Sequence, residues 1–256
     1  MSAELEAISS HPLPRVIKDD LLWTGGCLPL RYGGDFVHSH FGVFVVKGSE
    51  KSIIIDTGHP IHAEQVEQDI ENFLQGRPLD YIFPTHGEFP HAGLISRWMK
   101  KYPEAIAVGD LRDYDLYYPE IAHRFQNVKP GDSVSLGDRD FLFVPAIWRD
   151  LPNSLWGFDT LDRTLYVADA FSLMHYHIPG DCSLLTSEMP PPDLKMIRFL
   201  NERAMQWARY FDARETFPEI DRLLAMLKPR HIASAHGAFI DTPDVTVRIA
   251  KEGMIL

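Results

Sequence analysis

Apolar residues fall into short blocks along the chain, and their spacing predicts alternating strands and helices. "FGVFVV" (41–46) and "SIIIDT" (52–57) are apolar and β-branched with "KGSEK" between them, which predicts a hairpin. From 61 to 74 the spacing of Ile61, Val66, Ile70 and Leu74 fits one face of a helix. "DYIFPT" (80–85) predicts a short buried strand. A helix over 92–102 follows, with Leu94, Ile95 and Trp98 inward and Arg97, Lys100 and Lys101 outward, and then the strand "AIAVGD". "SVSLG" and "DFLFVPA" predict a second hairpin and "RTLYVADAF" (163–171) a further strand. Helices are expected over 194–211 and 217–227, and a closing strand in "RHIASAHG" (230–237).

Strands interleaved with helices in both halves predict a layered α/β fold. The polar residues that interrupt the strands recur at their ends: Asp56, His86, Asp169 and His236. Strand ends converging on one edge can build a single site from distant sequence. The densest cluster is "THGEFPHAG" (85–93), which holds His86, Glu88 and His91. Imidazole nitrogen with carboxylate oxygen suits iron, manganese or zinc. Such a cluster in one loop is a weak signal by itself, because twelve histidines are present and some crowding is expected by chance.

Composition narrows the classes. The 256 residues are 45% hydrophobic, enough for a large core, and no linker or repeat divides them, so one domain over 1–256 is expected. A net charge of -11 without any Lys/Arg run argues against a nucleic-acid partner. The first twenty residues lack the pattern of a secretory signal, and no apolar run approaches membrane-spanning length. The expectation is a cytoplasmic protein without a membrane partner. Cys27 and Cys182 are the two cysteines; they could pair, but reduced thiols are the simpler reading, and an iron-sulfur cluster is not expected.

"IIIDTG" (53–58), "THGEFPH" (85–91), "VADAF" (167–171) and "ASAHG" (233–237) stand in the order found in the metallo-β-lactamase superfamily. The chain resembles that superfamily from about residue 22 to residue 237, and within it most resembles the metallo-β-lactamase-like domain of flavodiiron proteins, because Glu88 replaces the histidine common in hydrolases. The resemblance implies an α/β fold of the αββα sandwich type with one or two metal ions at the sheet edges. His86 and Glu88 would hold the first metal, His91 and His236 the second, and Asp169 would bridge. Two family ligands are missing. Pro90 stands in place of an aspartate, and "PAIWRD" puts Ile147 and Trp148 where a middle histidine is expected. His38, His40, His59, His175 and His177 flank the motifs and are candidate replacements, His59 foremost. Neither a flavodoxin domain nor a flavin-binding loop is identified, so no flavin is expected on this chain.

Asp56 is expected to hold a ligand imidazole rather than the metal, and Asp150 and Asp159 to be surface or turn residues. Phe89, Trp148, Trp156, Phe158 and Phe171 either pack the core or line an apolar pocket. The leading expectation is a metal-dependent hydrolase of a small organic ester, ether or lactone. Metal-bound water would attack, with Glu88, His59 or His175 as base. Two alternatives stand beside it. One is a non-haem diiron protein that binds or reduces O2 or NO with electrons from a partner; the other is a non-catalytic subunit. A small-molecule substrate is the expected partner, and self-association or a partner subunit stays open.

Overall fold

In a computed structural model, which describes residues 12–255, two β-sheets lie face to face with helices on both outer sides. The first sheet holds β1 (Arg15–Lys18), β2 (Leu21–Tyr32), β3 (Asp35–Lys47), β4 (Ser52–Ile55), β5 (Tyr81–Phe83), β6 (Ile106–Gly109) and β7 (Phe125–Asn127), in that spatial order. The second holds β8 (Ser133–Ser135), β9 (Asp140–Pro145), β10 (Leu155–Asp159), β11 (Thr164–Tyr166) and β12 (His231–Ala233), again in chain order from edge to edge. β1 to β4 pair antiparallel and β4 to β7 parallel; in the second sheet only β11 and β12 are parallel. This is the expected αββα sandwich.

Strand alternation builds the layers. On β4, Ile53 and Ile55 face the second sheet, where they meet Phe141, Phe143 and Tyr166, while Ile54 faces outward. Outside the first sheet lie α1 (Ala63–Leu74), α2 (Phe89–Ala92), α3 (Ile95–Lys101) and α4 (Tyr114–Tyr117). α1 buries Val66, Ile70 and Leu74 at helical spacing; each such side chain stabilises the fold by about 1.5–3 kcal/mol relative to exposure. Gln75 in the left-handed region and Gly76 after it end the helix. The second sheet is covered by α5 (Leu194–Ala204), α6 (Phe217–Leu227) and α7 (Pro243–Met254).

Several elements differ from expectation. β2 and β3 form a hairpin of 12 and 13 residues, of which only the second half of β3 was expected. The helix expected over 194–211 stops at Ala204. Met205 leaves helical geometry, and the Trp207 indole N–H reaches the Arg149 carbonyl at 2.7 Å, a tertiary bond a continued helix would break. The aromatic residues also sort out. Trp148, Trp156, Phe158 and Phe171 are buried in the core beside the second sheet, so they do not line a pocket, while Phe89 is exposed. Among the described residues no helix is long and apolar enough to cross a membrane.

Candidate metal centre

The side chains singled out by the motifs converge beyond the C-terminal ends of β4, β5, β9, β11 and β12. His86 follows β5; Glu88, extended, caps α2; and His91 lies inside α2. Pro90 sits in the first turn of α2, where a missing N–H leaves no helical bond unmade. A residue before proline favours an extended backbone, yet Phe89 is helical, because Glu88 makes the extended entry and its carbonyl accepts from His91 and Ala92.

Asp169 is the meeting point. Its Oδ1 lies 3.2 Å from Nε2 of His91 and 3.2 Å from Nε2 of His236. His86, Glu88 and Asp169 each offer a ligand atom to a second, overlapping group. The fourth member of that group is Asp150, whose Oδ2 is 3.2 Å from His86 Nε2. Asp150 was expected to be a surface or turn residue; it does lie in a bend, but its side chain is about 5% exposed and faces the site. The chain leaves β9, turns Trp148 into the core, where its indole bonds Thr216, and returns Asp150 to the site. Ser154 donates to Asp150 Oδ1 at 3.1 Å, leaving Oδ2 turned inward. The place of the missing middle histidine is thus taken by a carboxylate. Its signal in the sequence was the last letter of "PAIWRD".

The imidazoles are oriented from behind. His91 Nδ1 donates to Asp56 Oδ2 at 2.8 Å, and Asp56 Oδ1 accepts from the backbone and hydroxyl of Thr85. His236 Nδ1 donates to the His40 carbonyl at 2.5 Å. With its own proton given to Asp56, the Thr85 hydroxyl is left to accept from His86 Nδ1 at 3.3 Å. In their neutral form all three rings would carry the proton on Nδ1 and turn Nε2 to the centre, the arrangement that metal-binding histidines require. Asp56 plays the expected positioning role.

Charge and strain fit the same reading. His86 Nε2, His91 Nε2, Asp150 Oδ2 and Asp169 Oδ1 are buried without hydrogen-bond partners. Four such atoms facing one another call for an explanation that an ion supplies. Burial opposes charge on His91, but Asp56 and Asp169 on either side outweigh it and hold its pKa well above the ordinary value. Burial and neighbouring His91 push His86 down to about 4. Partial desolvation, then Asp169 and Asp150, raise Glu88. Backbone strain collects here too: Asp56, Ala168 and Phe171 all have positive φ, the last two on either side of Asp169. Gly237, after His236, is required by close approach, since a Cβ there would stand 2.1 Å from the Leu173 carbonyl.

A cleft of about 700 Å3 opens over the centre. Glu88, Asp150, Asp169 and His236 form its floor, and Leu28, Pro29, Phe41, Arg203 and Trp207 stand among its walls. The two histidines named as bases do not join the cluster. His59 caps the turn before α1 and stacks on Phe41 at 4.9 Å, with Phe41 between it and His236. The contacts of His175 run to His38, His40 and the Asp181 carbonyl.

A family model described as the metallo-beta-lactamase superfamily matches residues 42–187, more than half of the chain. The chain belongs to the metallo-beta-lactamase superfamily. Among curated members it is 28% identical over 167 residues to a nitric oxide reductase of Moorella thermoacetica, covering 62% of this chain and 42% of that one. It is 27% identical over 168 residues to a coenzyme F420H(2) oxidase of Methanothermobacter marburgensis, covering 60% and 41%. This metallo-beta-lactamase chain spans less than half the length of either. The fold is similar to the crystal structure of the flavodiiron protein from Giardia intestinalis, with a TM-score of 0.72, 15% identity, and coverage of 94% of this chain and 59% of that one. The resemblance to the flavodiiron branch seen in "THGEFPH" and "VADAF" is confirmed by these matches.

Proposed function

We propose that this chain holds a non-haem diiron centre that binds and reduces O2 or NO, taking its electrons from a partner. The observation that carries the reading is the ligand set: three imidazoles with three carboxylates, Glu88, Asp150 and Asp169, and no thiolate. A carboxylate-rich set of this kind favours iron or manganese over zinc. His86, Glu88 and Asp150 would hold one metal, His91 and His236 the other, with Asp169 between them. Bound iron would supply the redox chemistry that no side chain here can.

The residues of the chain supply the rest. Asp56 and the His40 carbonyl accept from Nδ1 of His91 and His236 and so aim Nε2 of each ring at the centre. Glu88 lies at the cleft floor and offers its carboxylate to the same group as His86, Asp150 and Asp169, where it would hold the first metal. Pro90 lines the cleft where the family places an aspartate, leaving the second metal fewer protein ligands and an open face toward substrate.

The hydrolase expectation gives way to this reading. The names of the matched relatives are those of oxidoreductases, the aspartate that would position an attacking water is replaced by Pro90, and neither His59 nor His175 joins the cluster. The test is direct. Iron-loaded protein given a chemical reductant should consume NO or O2 at an electrode, and the Asp169→Ala variant should not. Failure of iron-loaded protein to consume either gas, combined with turnover of an ester or lactone by the zinc form, would restore the hydrolase.

A further inference from the structure

A second cluster of metal-binding side chains lies beside the cleft, on the β2–β3 hairpin and the segment after Asp169. Cys27 on β2, His38 on β3, and His177 each offer a ligand atom within 4.8 Å of the others. Cys27 Sγ lies 2.9 Å from His38 Nδ1 and 3.8 Å from His177 Nδ1, and the two ring nitrogens are 3.3 Å apart. Cys182, 155 positions from Cys27 in sequence, brings its Sγ to 3.6 Å from the same His38 nitrogen. Both cysteines are free.

We propose that Cys27, His38, His177 and Cys182 form a tetrahedral zinc site separate from the diiron centre. With Zn–S of about 2.3 Å and Zn–N of about 2.0–2.1 Å, tetrahedron edges run about 3.3 Å between nitrogens and about 3.5 Å between nitrogen and sulfur. The separations of 3.3, 3.6 and 3.8 Å lie close to these edges, and the 2.9 Å contact would open. Hydrogen bonding alone does not account for the group. One nitrogen, His38 Nδ1, faces Cys27, Cys182 and His177 together, and a single ring nitrogen cannot serve all three. Two thiolates with two imidazoles select zinc over the harder ions that the carboxylate-rich centre takes.

The supports behind the cluster have the form of a closed structural site. His40 donates to the Cys182 carbonyl at 2.6 Å, and His175 donates to the Asp181 carbonyl at 3.0 Å while packing on His38 at 4.2 Å. The histidines that the diiron centre leaves aside thus hold the backbone that bears Cys182. One contact must change. Zinc on His38 Nδ1 leaves the proton on Nε2, which now accepts from Ile178 N–H at 3.3 Å. Ile178 is about half exposed, so its N–H can turn to water.

The site has a structural consequence. Cys27 and His38 immediately adjoin Leu28 and Ser39, which line the cleft. The other two ligands lie on the segment that leaves Asp169. Zinc would tie that segment to the hairpin and fix one cleft wall.

The probe is cobalt(II) added to the full chain after chelation and thiol reduction. The diiron ligands include no thiolate, so a near-ultraviolet thiolate-to-cobalt charge-transfer band reports this cluster alone. It does so whether or not the proposed O2 or NO chemistry holds. The band should appear with one cobalt and be displaced by one zinc. His177→Gln, a change at a half-buried position, should weaken zinc binding more than about tenfold, since even outer partners of metal ligands contribute that much. Two reactive thiols with no band would overturn the proposal. So would a Cys27–Cys182 disulfide in protein purified without reductant, if the reduced form then bound no cobalt.

Discussion

The Asp150 carboxylate stands 3.2 Å from Nε2 of His86, and the two would close the first half of the proposed metal centre. With its other oxygen held by Ser154, Asp150 has one direction in which to bind. Asp150→Ala should therefore lower iron binding from two per chain to about one, while Asp150→His, which restores the nitrogen donor usual in the family, should keep two. Iron counted by elemental analysis after gel filtration decides this. Full occupancy in Asp150→Ala would remove Asp150 from the ligand set.

Asp56 acts through His91. Asp56→Asn keeps the shape but no longer holds a proton on Nδ1 by charge. Affinity at the second metal should fall about 10–100-fold, as for other partners of ligating histidines. Competition against a coloured chelator measures it; unchanged affinity would mean that the Asp56–His91 bond does not set the ring's tautomer.

Arg139 has a structural role far from the metals. Its guanidinium lies 3.1 Å from buried Asp159 and 3.4 Å from Asp162, and also bonds Asp20. Arg139→Met leaves Asp159 charged and unpaired in the interior, which should destabilise the fold by about 3–5 kcal/mol. Urea denaturation gives the value, and a change under 1 kcal/mol would show that water reaches Asp159.

Asp241 predicts an acid-sensitive contribution. Partial burial opposes its charge, but donors from Ser187 and Thr186 outweigh that and hold its pKa below the ordinary 3.8. A depressed carboxylate contributes stability that is present above the unfolded value and lost as pH falls through the folded one. Wild type should exceed Asp241→Asn in stability at neutral pH, with the gap closing as pH drops below 3.8. A gap that stays constant into acid would assign the effect to shape instead of charge.

What could be read from the sequence followed from local pattern. The β3–β4 hairpin, α1 and α6 announce themselves by period, and His86, Glu88, His91, Asp169 and His236 by motif. What escaped depended on long-range geometry. Asp150 reaches the site only because Trp148 turns into the core two residues earlier. Cys27 and Cys182 meet only because the segment after Asp169 folds back on the β2–β3 hairpin. The end of α5 is set by the Trp207–Arg149 bond, which no helical propensity encodes.

The most direct test of the central claim is electron paramagnetic resonance of iron-loaded protein during stepwise reduction. Two irons sharing Asp169 should give a spin-coupled mixed-valence signal at half-reduction, at two irons per chain, and the signal should vanish on full reduction. An isolated high-spin ferric signal with one iron per chain, and no coupled signal at any stage, would contradict a diiron centre in this protein.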